Sequence, residues 1–334
     1  MSTAGKRIVF FGTPEPAAQC LAHLIACGHD IVGVISQPDR PVGRHQVVLP
    51  TPVKVVAQAA GIPVMQPGNC GEEACLEQVR AWSPFVCVVV AYGQILTSEL
   101  LNTPECFINL HFSLLPAYRG AAPVQHALMD GCAETGITVQ HVVRKLDMGD
   151  IILQQPVAID DEDDATSLLA KCVAAGAPVL SDAIDLLAEG TAPRVPQGAA
   201  GVSHARKMRK EDGIIDWHAP ARVIFNQIRA CVPWPGAVTW LHGQPVKMWR
   251  SREYFPSHDL CGHHDENVAA VGHAPGEALP SRRNLLVTAG AGVLEVLELQ
   301  PAGKHRMTGA AFLAGHGGGE IRFAKPDAAS REDN

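Results

Sequence analysis

Along the first two-thirds of the chain, short unbroken apolar runs alternate with longer segments in which apolar residues recur at helical spacing. The runs at 7–11, 31–36, 62–65, 85–91 and 106–112 have the length and β-branched content of strands buried on both faces. Between them, 16–27, 54–60, 72–82 and 123–131 carry the period of helices, and Gly28 suits the stop of the first. Alternation of this kind predicts a mainly parallel α/β sheet. Two further strands, 136–143 and 150–159, flank Leu146-Asp147-Met148-Gly149, where Gly149 offers a positive φ. The acidic run 160–164 leads into a helix over 165–188, and carboxylates there favour the positive end of its dipole, a simpler role than metal binding.

Periodicity lapses between 190 and 202, where Gly, Pro and Ala mark a linker. From Asp212 onward, apolar runs at 237–241, 246–249, 285–288 and 293–299 alternate with turn residues. They predict a small β-barrel with one helix at 218–230. The expected organisation is a first domain over 1–189, a linker over 190–206, a second domain over 207–325 and a polar, disordered tail over 326–334.

A length of 334 residues with 47% hydrophobic content suits two domains, each with its own core. Residues 1–7 are polar and no signal-peptide apolar core follows them. The longest apolar run, 85–91, falls far short of the ~20 residues that span a bilayer, so a cytoplasmic protein without a membrane segment is expected. The ten cysteines include no C-x-x-C and read as free, core-filling thiols. Net charge is −7, unevenly spread: −9 over 1–205, +4 over 206–325 and −2 in the tail. The second domain is therefore the part suited to a polyanion.

The candidate chemistry lies in Phe107-Ile108-Asn109-Leu110-His111-Phe112. In a strand, Asn109 and His111 share one face while Ile108, Leu110 and Phe112 take the other. Pro116 then ends the strand in a loop, and strand ends of open α/β sheets are where ligands bind. Taken alone, the pair could equally satisfy buried backbone groups. The turn after the first strand, Gly12-Thr13-Pro14-Glu15-Pro16, lacks the later glycines of a dinucleotide fingerprint, which disfavours a nicotinamide enzyme. Ser113 has no evident partner base, so a serine-hydrolase role is not expected and the residue is read as shaping the loop. The cluster His258, Asp259, Cys261, His263, His264 and Asp265 matches no standard zinc spacing, and no metal is expected.

Asn109, His111, Ser113-Leu114-Leu115-Pro116, Arg119-Gly120-Ala121-Ala122-Pro123 and Asp147-Met148-Gly149-Asp150, found in one chain, resemble the methionyl-tRNA formyltransferase family almost end to end. Further matching segments include Phe10-Phe11-Gly12-Thr13-Pro14, Pro233-Trp234-Pro235-Gly236 and Gln300-Pro301-Ala302-Gly303-Lys304. The resemblance implies a Rossmann-like formyltransferase sheet and a smaller OB-like β-barrel that grips tRNA. It implies formyl transfer from 10-formyltetrahydrofolate to the α-amino group of initiator methionyl-tRNA, by a monomer serving translation initiation. Asn109, His111 and Asp147 would be catalytic. The folate would lie along Tyr92, Gly93, Gln94, Ile95 and Leu96, with Ser113, Leu114, Leu115 and Pro116 completing its site. Arg40 and Arg44, in an irregular lid at 38–52, would contact tRNA together with Lys207, Arg209, Lys210 and Lys304. Lys247, Arg250, Arg252 and Arg306 would extend that positive surface.

The chain departs from the family pattern at His45-Gln46-Val47, at Phe112, and at Gln94 and Thr97. Formyltransferases acting on amino sugars share the Asn, His and Asp pattern, as would a tRNA-binding relative without activity; the basic second domain argues against the first and the intact trio against the second. The chemistry itself ranks the roles. An α-amino group with a pKa of about 8 is roughly one-tenth neutral at pH 7, which costs about one order of magnitude. One preorganised oxyanion donor is worth about 2.7 to 4 kcal/mol, so charge stabilisation at the formyl oxygen is the larger demand. Asn109 and His111 are the expected donors, and Asp147 the expected partner of the imidazole or the amine.

Overall fold

The computed structural model describes residues 6–42, 47–103, 106–255, 272–281, 283–316 and 319–325. They group into two compact units. The first comprises Met1–Val124, Ala133–Ile159 and Ser167–Arg206. Its strands are β1 (Ile8–Gly12), β2 (Ile31–Ile35), β3 (Arg40–Val42), β4 (Val47–Leu49), β5 (Val64–Met65), β6 (Val86–Val90), β7 (Phe107–His111), β8 (Arg119–Gly120), β9 (Glu134–His141), β10 (Ile151–Ala158) and β11 (His204–Ala205). Its helices are α1 (Glu15–Ala26), α2 (Pro52–Ala59), α3 (Glu73–Trp82), α4 (Ser98–Leu101), α5 (Pro123–Met129), which runs into the second unit, and α6 (Ala165–Glu189).

A seven-stranded sheet has the order β10-β9-β7-β6-β1-β2-β5. Its β7-β6-β1-β2-β5 section is parallel, and the antiparallel β9 and β10 form one edge. Strands β1 and β6 are buried at every position, which is why they read as unbroken apolar runs. The order in which the chain adds strands reverses between β1 and β6, the switch point outside which α/β folds place ligands. On one face Val9, Phe11, Cys87, Val89 and Phe107 pack with Leu76, Val79 and Trp82 of α3. On the other, Gly176 of α6 lets that helix approach Leu110 and Ile137. Helix α6 has the length and composition to cross a membrane, yet half of its most apolar stretch is packed inside the protein.

The structure differs from the expectation in several places. Within 38–52, where no regular element is expected, Arg40–Val42 and Val47–Leu49 form an antiparallel β3–β4 pair, Arg40↔Leu49 to Val42↔Val47. Its base is fixed because Asp39 accepts from Lys54 Nζ (2.6 Å) and Gln66 Nε2 (2.6 Å). Positive φ in the β9–β10 turn falls on Asp147 (52°), not on Gly149. Gly149 is needed instead because a Cβ would run into the His141 carbonyl. Residues 190–206, short of regular structure, are tied along the first unit: Val195 bridges Ile151, and β11 pairs with β8.

The second unit comprises Gln125–Cys132, Asp160–Thr166 and the chain from Lys207. It contains β12 (Ala237–Leu241), β13 (Gln244–Tyr254), β14 (Leu285–Thr288), β15 (Val293–Pro301), β16 (Met307–Thr308) and β17 (Phe323–Ala324), with α7 (Ala221–Ala230) and α8 (Gly309–Gly315). Strand β13 runs for 11 residues, well past 246–249, and α8 is a helix that periodicity did not predict. The sheet is antiparallel in the order β14-β15-β13-β12-β17, with β16 on β15. Register shifts around Arg250 bend the long β13–β15 ribbon. Trp217 and Phe312 stack on Phe323 within the curve, and Trp217 Nε1 donates to Thr239 Oγ1 (2.9 Å).

Candidate active site

Strand β7 places Asn109 beside Val89 of β6 and opposite Gln140 of β9. Its side chain, half-buried, faces a cavity of about 300 Å³. Val89, Leu96, Leu101 and Val142 give the cavity apolar walls, and Asn109, Gln140 and Asp147 are among its polar groups, with Gln94, His141 and Arg144 also on the lining. His111, two residues on, is buried behind that wall. Its Nε2 lies 2.9 Å from the Tyr118 carbonyl oxygen. A carbonyl only accepts, so Nε2 carries a hydrogen. Nδ1 then faces Asp147 Oδ1 at 3.8 Å.

Asp147 is held at both oxygens. Gly120 N donates to Oδ2 (2.8 Å) and Gln140 Nε2 to Oδ1 (3.2 Å). The Gly120 amide is available there because φ at Gly120 is 124° and its backbone lies against the Ala205 carbonyl, where a Cβ has no room. The β9–β10 turn is closed by His141 N donating to Asp150 O (2.9 Å). Asn109, His111 and Asp147 are thus brought together, with Asn109 and Asp147 on the cavity wall.

The expected folate residues divide. Gln94, Ile95 and Leu96 line the cavity. Tyr92 does not: its ring packs edge-on against Phe11, and its carbonyl accepts from Thr13 Oγ1 (2.8 Å) and Gln37 Nε2 (3.0 Å). Gly93 takes φ 86° at an exposed corner beside Gln37. The Gln94 amide is spent on the loop before α3, accepting from Cys70 N (2.9 Å). Ser113, Leu114, Leu115 and Pro116 lie off the cavity. Ser113 Oγ donates to Ala117 O (2.6 Å), Leu115 N to Thr138 Oγ1 (3.1 Å), and Leu114 packs near Gly136, so the stretch shapes the loop after β7.

Of the expected tRNA contacts, Arg40, Lys207, Arg209, Lys210 and Lys304 are exposed. Arg44, with His45 and Gln46, lies outside the described residues, as do the histidine cluster at 258–265 and the tail at 326–334. The extension of the positive surface is partly neutralised. Arg252 pairs with Glu295 (2.7 Å), Arg306 with Glu298, and Arg250 with Glu162 (3.3 Å). Lys247 and Arg306 flank the Trp249 ring. Among the described residues no group of three His, Cys, Asp or Glu side chains is placed to hold a metal.

Sequence reasoning missed Gln140, the residue that ties Asp147 to the sheet. No local pattern singles Gln140 out within β9, which also carries Thr135, Thr138 and His141, but once β9 pairs with β7 its position opposite Asn109 follows.

Family models described as formyl transferase and as formyl transferase C-terminal domain match residues 6–184 and 207–317. A methionyl-tRNA formyltransferase of Moorella thermoacetica is 42% identical over 312 residues, covering 93% of this chain and 96% of that protein. One of Bacillus mycoides is 41% identical over 92% of this chain and 95% of its own length. Among solved structures, an N-formyltransferase of Helicobacter canadensis, in complex with folinic acid and dTDP-3-aminofucose, superposes with a TM-score of 0.64 at 18% identity, covering 89% of this chain and 99% of that one. HypX of Aquifex aeolicus in complex with tetrahydrofolic acid does so with a TM-score of 0.62 at 15% identity, over 92% of this chain and 46% of that one. At such identities these two show a shared fold, whereas the matches in sequence run nearly the full length: the chain belongs to the methionyl-tRNA formyltransferase family.

Proposed function

We infer that the chain transfers the formyl group of 10-formyltetrahydrofolate to the α-amino group of initiator methionyl-tRNA. The observation that carries the site is the convergence of Asn109 and Asp147 on one apolar-walled cavity, with His111 Nδ1 3.8 Å from the Asp147 carboxylate. Apolar walls suit a flat ring, and the three polar groups gather where a formyl group can be handled. The donor supplies an activated formamide. As the amine adds, negative charge develops on the formyl oxygen of a tetrahedral intermediate, and the Asn109 amide is positioned to donate to it. Asp147 accepts the proton that leaves the amine. His111, whose Nε2–H is given to the Tyr118 carbonyl, turns its Nδ1 lone pair toward Asp147 and can relay the amine's proton to the departing nitrogen. Proton loss and proton delivery then balance within one pair.

We also propose that 207–325 is an OB-like domain that binds the tRNA. The support is its curvature: residues 277–278 cross the gap between the edge strands, with Ala278 bridging Val287 and Glu277 bridging Arg322. Lys207, Arg209, Lys210 and Lys304, with Arg40 and Arg44 of the first domain (1–189), are proposed as phosphate contacts; 190–206 is the connection, and the enzyme acts as a monomer in the cytoplasm without a membrane. The test is formylation of methionyl-initiator tRNA at two salt concentrations, with an amino-sugar nucleotide and uncharged tRNA as parallel acceptors. Salt-sensitive formylation of methionyl-tRNA alone is expected; formylation of the sugar, or tRNA binding without transfer, overturns the assignment. An Asp147→Asn variant that folds and retains full turnover removes the carboxylate's role.

A further inference from the structure

The turn that carries Asp147 is held from a segment far along the chain. Gln197, in the stretch 190–206 that composition marks as a linker, shares the two hydrogens of Nε2 among three oxygens: Asp147 O (2.9 Å), Gly149 O (2.8 Å) and Gln140 Oε1 (3.1 Å). Its Oε1 accepts from Arg119 Nε (3.1 Å) and the same guanidinium's NH2 (2.6 Å). This pattern fixes the amide: turned over, its oxygen would face three acceptors and its NH2 would face a cation. Arg119 is itself buried and its neighbour Gly120 gives its N–H to Asp147 Oδ2, so both ends of the arrangement meet at the same carboxylate.

We propose that Gln197 is a positioning residue for the transfer reaction, fixing the main chain from Asp147 to Gly149 and, through Gln140, the Asp147 Oδ1 oxygen. The need for it is local. Asp147 sits at φ 52°, a left-handed conformation that residues other than Gly adopt rarely, Asp and Asn more readily than most, and that surrounding contacts help to hold. Gln140 Nε2 reaches Asp147 Oδ1 at 3.2 Å only while Gln140 Oε1 is turned to Gln197. With the Gln197 amide gone, the turn is free to relax, and Asp147 moves relative to His111, Asn109 and the amine. Misplacement of a reacting group by about 1 Å can cost about 100-fold in rate. This inference rests on the assignment of Asp147 to the transfer step.

The experiment is steady-state formylation of methionyl-tRNA by the full chain carrying Gln197→Ala, Gln197→Glu, Asp147→Asn, and Gln197→Ala with Asp147→Asn, with thermal unfolding measured for each. Gln197→Glu keeps the acceptor for Arg119 and loses the N–H donors, so it reports on the same contacts should the alanine variant fail to fold. Expected is a fall in kcat of about 10- to 100-fold for each Gln197 variant, with KM for both substrates within about twofold of the parent. The double variant is expected to be no slower than Asp147→Asn alone, because Gln197 acts through that carboxylate. Parental kcat in a folded Gln197 variant overturns the inference, as does a double variant in which the two losses multiply, or a rise in KM at constant kcat. Full turnover by Asp147→Asn removes the assignment of Asp147 and this inference with it. A slow Asp147→Asn beside a fast Gln197→Ala removes the inference alone.

Discussion

Gly149 has an ordinary φ and still tolerates no side chain, because the position of a Cβ is taken by the His141 carbonyl one turn away. Gly149→Ala is expected to destabilise the first unit by about 1–3 kcal/mol through this overlap, measured as a shift in the denaturant midpoint. Asn109 differs in kind. It is half-buried and faces the cavity, so Asn109→Ala is expected to fold normally and to lose about 10²- to 10³-fold in kcat, as when one oxyanion donor is removed. Single-turnover kinetics would separate that loss from weaker binding. Parental kcat in this variant would leave the charge on the formyl oxygen without its expected donor.

At the scale of elements, α2 depends on Thr51, whose Oγ1 accepts from Lys54 N (3.3 Å) and shares a hydrogen with Ser36 Oγ (2.7 Å). Thr51→Ala removes the cap and strands a buried hydroxyl, with an expected cost of about 1–2 kcal/mol in chemical denaturation. Helix α6 is joined to the entry of β2 by His29, whose Nε2 lies 2.7 Å from Ser181 Oγ. Burial is the main cause that lowers the His29 pKa; Asp185 opposes it and His23 adds to it. The folded state therefore holds His29 neutral, and its contribution to stability is complete above the unfolded value of about 6.5 and is lost as pH falls through the lower folded value. Melting temperature is expected to drop between pH 7 and pH 5, and to drop less in His29→Gln. An unchanged slope in that variant would assign the acid sensitivity to other groups, of which His141, also lowered chiefly by burial, is the next to test.

At the scale of the whole molecule, charge is separated along the chain, and pairing decides which cations can meet phosphate. Arg252 already bonds Glu295, so Arg252→Ala is expected to leave the KM for methionyl-tRNA nearly unchanged. Replacing Lys207, Arg209 and Lys210 together by alanine is expected to raise that KM, to flatten its dependence on salt, and to leave the KM for the folate donor alone. Equal effects on both substrates would point to damaged folding instead of lost phosphate contacts.

Much of this was written in local sequence. The buried strands of the parallel sheet, their intervening helices and the facing of Asn109 with His111 follow from periods of 2 and 3.6, and the motifs around Asp147 named the chemistry. What periodicity could not show is what depends on distant partners. Strands β3 and β4 have three residues each and include Pro41, too short for a strand's alternation to show, and the pair is seen only once its backbone pairs. The retreat of His111 behind the cavity wall, the bond from Gly120 to Asp147 and the turn of Ser113 toward Ala117 are set by how β7, β8 and the β9–β10 turn meet. Gln197 is the sharpest case: in sequence it is one polar residue among Gly, Pro and Ala, and only the folded chain brings it to the oxygens of residues some fifty positions earlier. Composition and spacing report which groups a chain can offer; hydrogen bonds between segments remote in sequence decide where those groups point, because their geometry exists only after the segments have packed.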